Sequence, residues 1–382
     1  MIDNENKYLA FCEKNQVTAE HFDRENSSEY LKKRRNLYRQ LGIPILAVKD
    51  AEILEIGPGV GHNTLPLILD WNCKYVDLVE PNLVAVNELK KTFEELGVGE
   101  ELYRVFPVIF EEYKEDKKYD MVIAEGYIQY SHNWNKLLKM IKKYTHENSL
   151  VIVTCMDEFG IYVEMMKRLV GQYMVKDIEG ELDNKVAFLS ETWKEYFKTL
   201  PGMTRTPREW ILDMIFNEGV LCCEKPMTIK YAMEEMKDEF DVLGCSQNLF
   251  VDYSWYKDLD YDYINAYQKQ YDMKKHMFLT ADTYEESVHD MEINKKLEEA
   301  IKLVIDLIRK IESGKDITLE ILCSAIDGVT MLADNQRIQD FNEDIKNILK
   351  EFKDEQEIDF TKYKAWNTTF GRAMQYISFQ RK

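Results

Sequence analysis

Ile53-Leu54-Glu55-Ile56-Gly57-Pro58-Gly59-Val60-Gly61-His62-Asn63-Thr64 places three alternate glycines between a short apolar run and the start of a helical pattern. Glycine at such a corner lets the backbone turn tightly and lets a ligand approach without meeting a Cβ. A Walker loop is excluded because no Gly-Lys-Ser/Thr follows. The dinucleotide fingerprint asks for glycine at its sixth position, where His62 stands, so a pyrophosphate would lose the close helix packing that glycine permits. The next apolar run, Tyr75-Val76-Asp77-Leu78-Val79, ends in Glu80-Pro81-Asn82. An acid there can accept hydrogen bonds from both hydroxyls of a ribose. The plainer reading of Glu80 is a solvated acid at a strand end.

Outward from this corner, apolar runs recur at 51–56, 75–79, 103–106, 121–124 and 150–153, with helical stretches at 83–96 and 134–143 between them. Strand alternating with helix is the pattern of a parallel sheet covered on both faces. Before it, residues 1–48 form a helical lead-in in which Ser27 or Ser28 caps a helix that Gly42-Ile43-Pro44 stops. The core spans 49–256, with a helical insertion at about 160–233 and one more strand at 240–245. A helical subdomain follows at 257–360, where Leu297, Ile301, Val304, Ile305, Ile308 and Ile311 lie on one stripe. Ile338, Phe341, Ile345, Ile348 and Phe352 lie on another. The segment 361–382 alternates with period two near its end and is expected to return a last strand to the sheet. The fold expected is α/β, a doubly wound seven-stranded sheet with helical insertions.

Fifty Lys and Arg against sixty-nine Asp and Glu give a net charge of −19, which disfavours nucleic acid as a partner. The seven cysteines are odd in number and scattered, and the six histidines include no pair at helical spacing, so neither a disulfide framework nor a metal site is expected. No basic and apolar leader and no run of membrane-spanning length is present, so the expected location is the cytoplasm, without membrane contact. The oligomeric state is not legible.

The glycine loop and the acid after strand two resemble the class I S-adenosylmethionine-dependent methyltransferases. Their first motif is an acid on strand one followed by Gly-x-Gly-x-Gly, matched here by Glu55, Gly57, Gly59 and Gly61, and their second strand ends in an acid, matched by Glu80. The resemblance covers residues 27–157, with 240–245 and 374–379 as the last two strands. It implies S-adenosylmethionine as cofactor, its amino acid part against the loop, its ribose on Glu80 beside Pro81 and Asn82, and adenine near Phe110 or Glu111. It also implies that the helix before strand one closes over the cofactor carboxylate, which brings in Tyr30 and Arg34, four residues apart on one face. A solvated basic face with Lys33 and Arg35 is the equal alternative.

Ligands of an open parallel sheet lie beyond the carboxyl ends of its strands, so the substrate is expected near 125–132 and 154–158. Methyl transfer is an in-line displacement that needs positioning, and a base only if the acceptor begins protonated. The base candidates are His132, Glu125, Tyr127 and Asp157, and Glu125 counts among the cofactor neighbours as well. Ala124-Glu125-Gly126-Tyr127 stands where an Asn/Asp-Pro-Pro-aromatic motif would mark methylation of amide or base amines. The aromatic stretch at 248–256 is read as a substrate wall or a packing seam, and Arg205 and Arg208 as an anion site or ordinary surface pairs. The function expected is methyl transfer to a small-molecule substrate, a polar metabolite such as a sugar or glycan precursor. The alternatives are a protein or peptide methyltransferase and a non-catalytic cofactor-binding assembly module.

Overall fold

A computed structural model describes residues 7–18, 21, 27–200, 203, 205–221, 225–252, 257, 261–281 and 286–382. These residues form two compact units, one made of 1–156, 217–268 and 374–382 and the other of 157–216 and 269–373. The helical stretches expected at about 160–233 and 257–360 thus both contribute to the second unit.

The first unit is built on a seven-stranded sheet of β1 (Glu52–Ile56), β2 (Tyr75–Val79), β3 (Tyr103–Phe106), β4 (Tyr119–Ala124), β5 (Thr145–Cys155), β6 (Phe240–Cys245) and β7 (Gln375–Arg381). Their order is β3-β2-β1-β4-β5-β7-β6. The first five run parallel, and β7 enters antiparallel to both β5 and β6. The strands are apolar on both faces because helices cover both, which is why they read as continuous runs. β5 begins earlier than the apolar run alone indicates. Its first residues pair Thr145 with Tyr119 across a register shift, and Ser149 Oγ donates to Tyr119 O.

The helix Ser27–Gln40 packs its C-terminal end close to β6 and β7. A Cβ at Gly244 would stand 2.6 Å from Gln40 O, and Ser378 Oγ donates to Leu41 O at 2.6 Å. Tyr38 and Leu41 enter the core formed with Ile53, Val76, Leu78 and Ile123. This docking fixes the helix face that carries Tyr30 and Arg34.

The second unit is helical, with Tyr162–Val175, Met291–Glu312, Leu319–Leu332 and Gln336–Lys353 as its long elements. Both apolar stripes read from sequence are buried, apart from Phe352 at the half-buried end of the second. Asp290, Thr318 and Asn335 cap three of these helices through their side-chain oxygens. Lys167 is buried among Tyr196, Trp366 and Phe370 and donates to Thr369 O, and burial lowers its pKa to about 8.

β7 is an interior strand, so its loss strands two neighbours at once. Deleting residues 374–382 should abolish the cooperative thermal transition of the sheet unit, as read by calorimetry; a wild-type transition in the truncated chain would show that the sheet does not need β7.

Candidate functional site

The glycine loop leaves β1 with Gly57, Gly59 and Gly61 at φ +71°, +56° and +78°, a region that L side chains rarely adopt. Gly57 and Gly61 are also enclosed. A Cβ at Gly57 would lie 2.9 Å from that of Tyr127, and one at Gly61 would lie 2.7 Å from the Phe93 ring. Gly59 differs, because a Cβ there would meet nothing within 4 Å. The middle glycine therefore borders open space, while the outer two serve the packing.

Glu80 is buried at the end of β2 and binds this loop directly. Its Oε2 accepts from Gly59 N at 2.9 Å and its Oε1 from Asn82 N at 2.8 Å. Burial raises its pKa, and the two N–H groups oppose that rise. The reading of Glu80 as a solvated acid is thereby corrected. Asn82 caps the helix Leu83–Glu95 by accepting from Val84 N, and Pro81 between them is half-buried. Glu55 is buried on β1, where it accepts from Thr64 Oγ1 at 2.6 Å, and burial pushes its pKa up to about 7.

Arg34 and Glu125 form a buried, two-pronged ion pair at 2.8 and 2.7 Å. Asn63 Nδ2 adds a bond to Glu125 Oε2 at 2.9 Å, and Tyr30 donates its hydroxyl to Asn63 Oδ1. Tyr30 also stands edge-on to the His62 ring at 3.8 Å. The solvated basic face thus holds for Lys33 and Arg35, and Arg34 turns inward. Arg34 Nε is buried without a hydrogen-bond partner among the described residues.

The base candidates fare differently. Glu125 has both carboxylate oxygens bonded to Arg34 and one of them to Asn63 as well. His132 is exposed. Asp157 belongs to the second unit, where its carboxylate accepts from Gly160 N and from the Tyr271 hydroxyl, both at 2.7 Å. Tyr127 is half-buried against Gly57 and stands at the loop. Phe110 is fully buried between Tyr113 and Tyr144, so its ring is spent on the core, whereas Glu111 beside it is half-buried.

Gln129, beyond β4, and Thr154, near the end of β5, lie in the stretches expected to border the substrate. Thr154 Oγ1 accepts from Gly126 N at 2.8 Å and donates to Gln129 Oε1 at 2.7 Å, which fixes the amide of the fully buried Gln129. Its Nε2 has no partner among the described residues. Polar residues inside apolar strand ends were the available signal.

Of the aromatic stretch, Phe250 stacks on Tyr267 at 4.5 Å, and 253–256 lie outside the described residues. Arg205 and Arg208 pair with Asp213 and Asp183. Cys12, Cys73, Cys155 and Cys245 are buried and Cys323 is half-buried, and Cys222 and Cys223 lie outside the described residues. Among the described residues no His, Cys, Asp or Glu cluster suits a metal, and no helix is long and apolar enough to cross a membrane.

In comparison with known families, residues 30–197 match the profile of a family described as a methyltransferase domain. Over that span the chain resembles methyltransferase domains. No curated protein matches the sequence significantly. Solved structures that resemble this chain include PKMT2 from Rickettsia typhi in complex with AdoHcy, at 16% identity and TM-score 0.39, covering 62% of this chain and 49% of that one. Another structure of PKMT2 aligns at 17% identity and TM-score 0.43, covering 64% and 51%. The N-methyltransferase NodS from Bradyrhizobium japonicum, in complex with S-adenosyl-L-homocysteine, aligns at 11% identity and TM-score 0.31, covering 40% and 74%. This chain thus spans about half the length of PKMT2.

Within the matched span, the Arg34–Glu125 pair can be tested as a structural anchor. Glu125→Gln should destabilise the protein by about 3–5 kcal/mol in urea unfolding, because it leaves a buried guanidinium uncompensated, and replacing both residues by Met should recover much of that loss. A loss under about 1 kcal/mol in the single variant would mean that the pair does not hold the site together.

Proposed function

We propose that this protein is an S-adenosylmethionine-dependent methyltransferase acting on a small polar metabolite. The observation that carries the cofactor half is the Glu80 carboxylate bonded to Gly59 N beside the open face of Gly59, inside a domain matched to methyltransferases. The donor set fits such a cofactor. Glu80 offers acceptor lone pairs for ribose hydroxyls, and buried Arg34 Nε offers an unused donor for a carboxylate. Glu55 and Glu80 supply negative charge for an ammonium and a sulfonium. When bound, S-adenosylmethionine supplies an electrophilic methyl group on positively charged sulfur.

The chain's contribution is then positioning. The left-handed glycines hold the loop, Glu80 ties it to β2, and Arg34 and Asn63 fix Glu125 at the end of β4. Glu125 and Asp157 have their carboxylates engaged and His132 is exposed, so we read transfer as alignment of the acceptor, with Tyr127 at the loop as the remaining base candidate and Gln129 Nε2 as a candidate donor toward the acceptor molecule. The overall charge of −19 supports a small acceptor over nucleic acid.

A second reading is favoured by one feature of the helical unit. A groove of about 800 Å³ there is lined by Asp177, Glu191, Glu195, Glu355, Glu357 and Asp359 against three lysines, over Tyr173, Phe188 and Phe352. Such a surface suits a basic peptide.

Incubation with methyl-labelled S-adenosylmethionine and a metabolite extract, read by mass spectrometry, should give a labelled small molecule. Label found only in added protein would select the second reading. In parallel, Glu80→Ala should weaken cofactor binding by about 1–3 kcal/mol in calorimetry through loss of charged hydrogen bonds. Wild-type affinity in a folded Glu80→Ala protein would remove the ribose assignment.

A further inference from the structure

Three carboxylates surround the glycine loop, and among the described residues one cation, Arg34, is bonded to any of them. Their compensation is unequal. Glu125 takes both terminal nitrogens of Arg34, and Glu80 takes two backbone N–H groups. Glu55, as buried as either, has the Thr64 hydroxyl. A neutral hydroxyl compensates a buried charge far less than a guanidinium does.

Every element around Glu55 adds to this imbalance or fails to relieve it. The helix Ser27–Gln40 presents Arg34, already paired, and Tyr38, whose phenol is held neutral by burial. Glu125 after β4 and Glu80 after β2 are both negative neighbours, and Cys73 ahead of β2 is a thiol that burial keeps protonated. His62 belongs to the same loop, with its ring against Tyr30. Three carboxylates against the single cation Arg34 leave the cluster short of positive charge, and among the described residues none bonded to it supplies more.

We propose that Glu55 makes cofactor binding proton-linked: it carries a proton in the unliganded protein and releases it to solvent when the positively charged donor enters. This rests on the cofactor reading above. The sign follows from the proton count. The unliganded protein holds one proton more than the complex over the interval between the two ionisation midpoints, so affinity rises with pH in that interval and levels off above about 7, where Glu55 is already ionised. The site thereby senses pH just below neutrality. It also prefers a charged donor to a neutral analogue.

The test is isothermal calorimetry of S-adenosylmethionine between pH 5.5 and 7.0, in buffers of different ionisation enthalpy. The ligand's own α-amino group stays charged across that range. Wild type should release close to one proton per site in the lower half of the range and about half a proton near pH 7, with affinity rising about tenfold per pH unit in that lower half. Glu55→Gln, which preserves a partner for Thr64, should bind with an affinity independent of pH and with no proton release. His62→Gln should keep the wild-type slope. A flat wild-type profile, an unchanged slope in Glu55→Gln, or a slope lost in His62→Gln would overturn the proposal. Should Glu55→Gln fail to fold, infrared difference spectra of wild type at pH 6 decide the matter, because the proposal requires a protonated carboxyl band to vanish on adding S-adenosylmethionine. No binding by wild type at any pH would instead reject the cofactor reading itself.

Discussion

Arg34 can be held inside this protein only because a carboxylate gives back the hydrogen bonds that water would have made. Glu125 does so with both oxygens, and the consequences reach well beyond the pair. It joins the helix ahead of the sheet to the end of β4, and Asn63 extends the connection into the glycine loop. Tyr30 then closes the chain of bonds onto Asn63. The loop is thus held from three sides: by its own left-handed glycines, by Glu80 from β2, and by this network from β4 and the leading helix. Since the bonds of a buried network support one another, the loop is shaped before any ligand arrives.

The close approaches at the C-terminal end of the same helix support that arrangement. Gly244 lets Gln40 and Leu41 settle against β6, and Ser378 secures Leu41 from β7. Moving the helix end by the width of a methyl group would carry Arg34 with it. The network around the glycine loop, beyond the ends of the central strands β1 and β4, therefore depends on small residues in the strands that come last in the sequence.

How much of this could be read beforehand depends on how local each signal is. The glycine loop, the acid after β2 and the alternation of strand and helix are contained in short stretches, and all were legible. The inward turn of Arg34 was not, since its partner lies 91 residues away and nothing near Arg34 distinguishes it from Arg35. Glu125 looked like a base for the same reason: a carboxylate after a strand end is recognisable, but its saturation by a distant guanidinium is not. Phe110 is a different case, because the preceding Val108-Ile109 run already indicates a residue spent on the core. The bond between Gln129 and Thr154 was not legible, because it is formed only when β4 and β5 lie side by side.

The position of β7 sets the order in which the molecule can assemble during synthesis. Its residues pair Gln380 with Leu150, Ile377 with Val153 and again Ile377 with Cys245, so β5 and β6 wait for a partner made after the whole helical unit. Contacts of such long sequence separation are slow to form, since a long loop must close before they contribute. While the ribosome is still producing the chain, β5 presents an unpaired, apolar edge, the kind of surface on which nascent chains aggregate. The helices inserted ahead of β7 lengthen that interval, and the growing protein is expected to need chaperone protection until its last strand arrives.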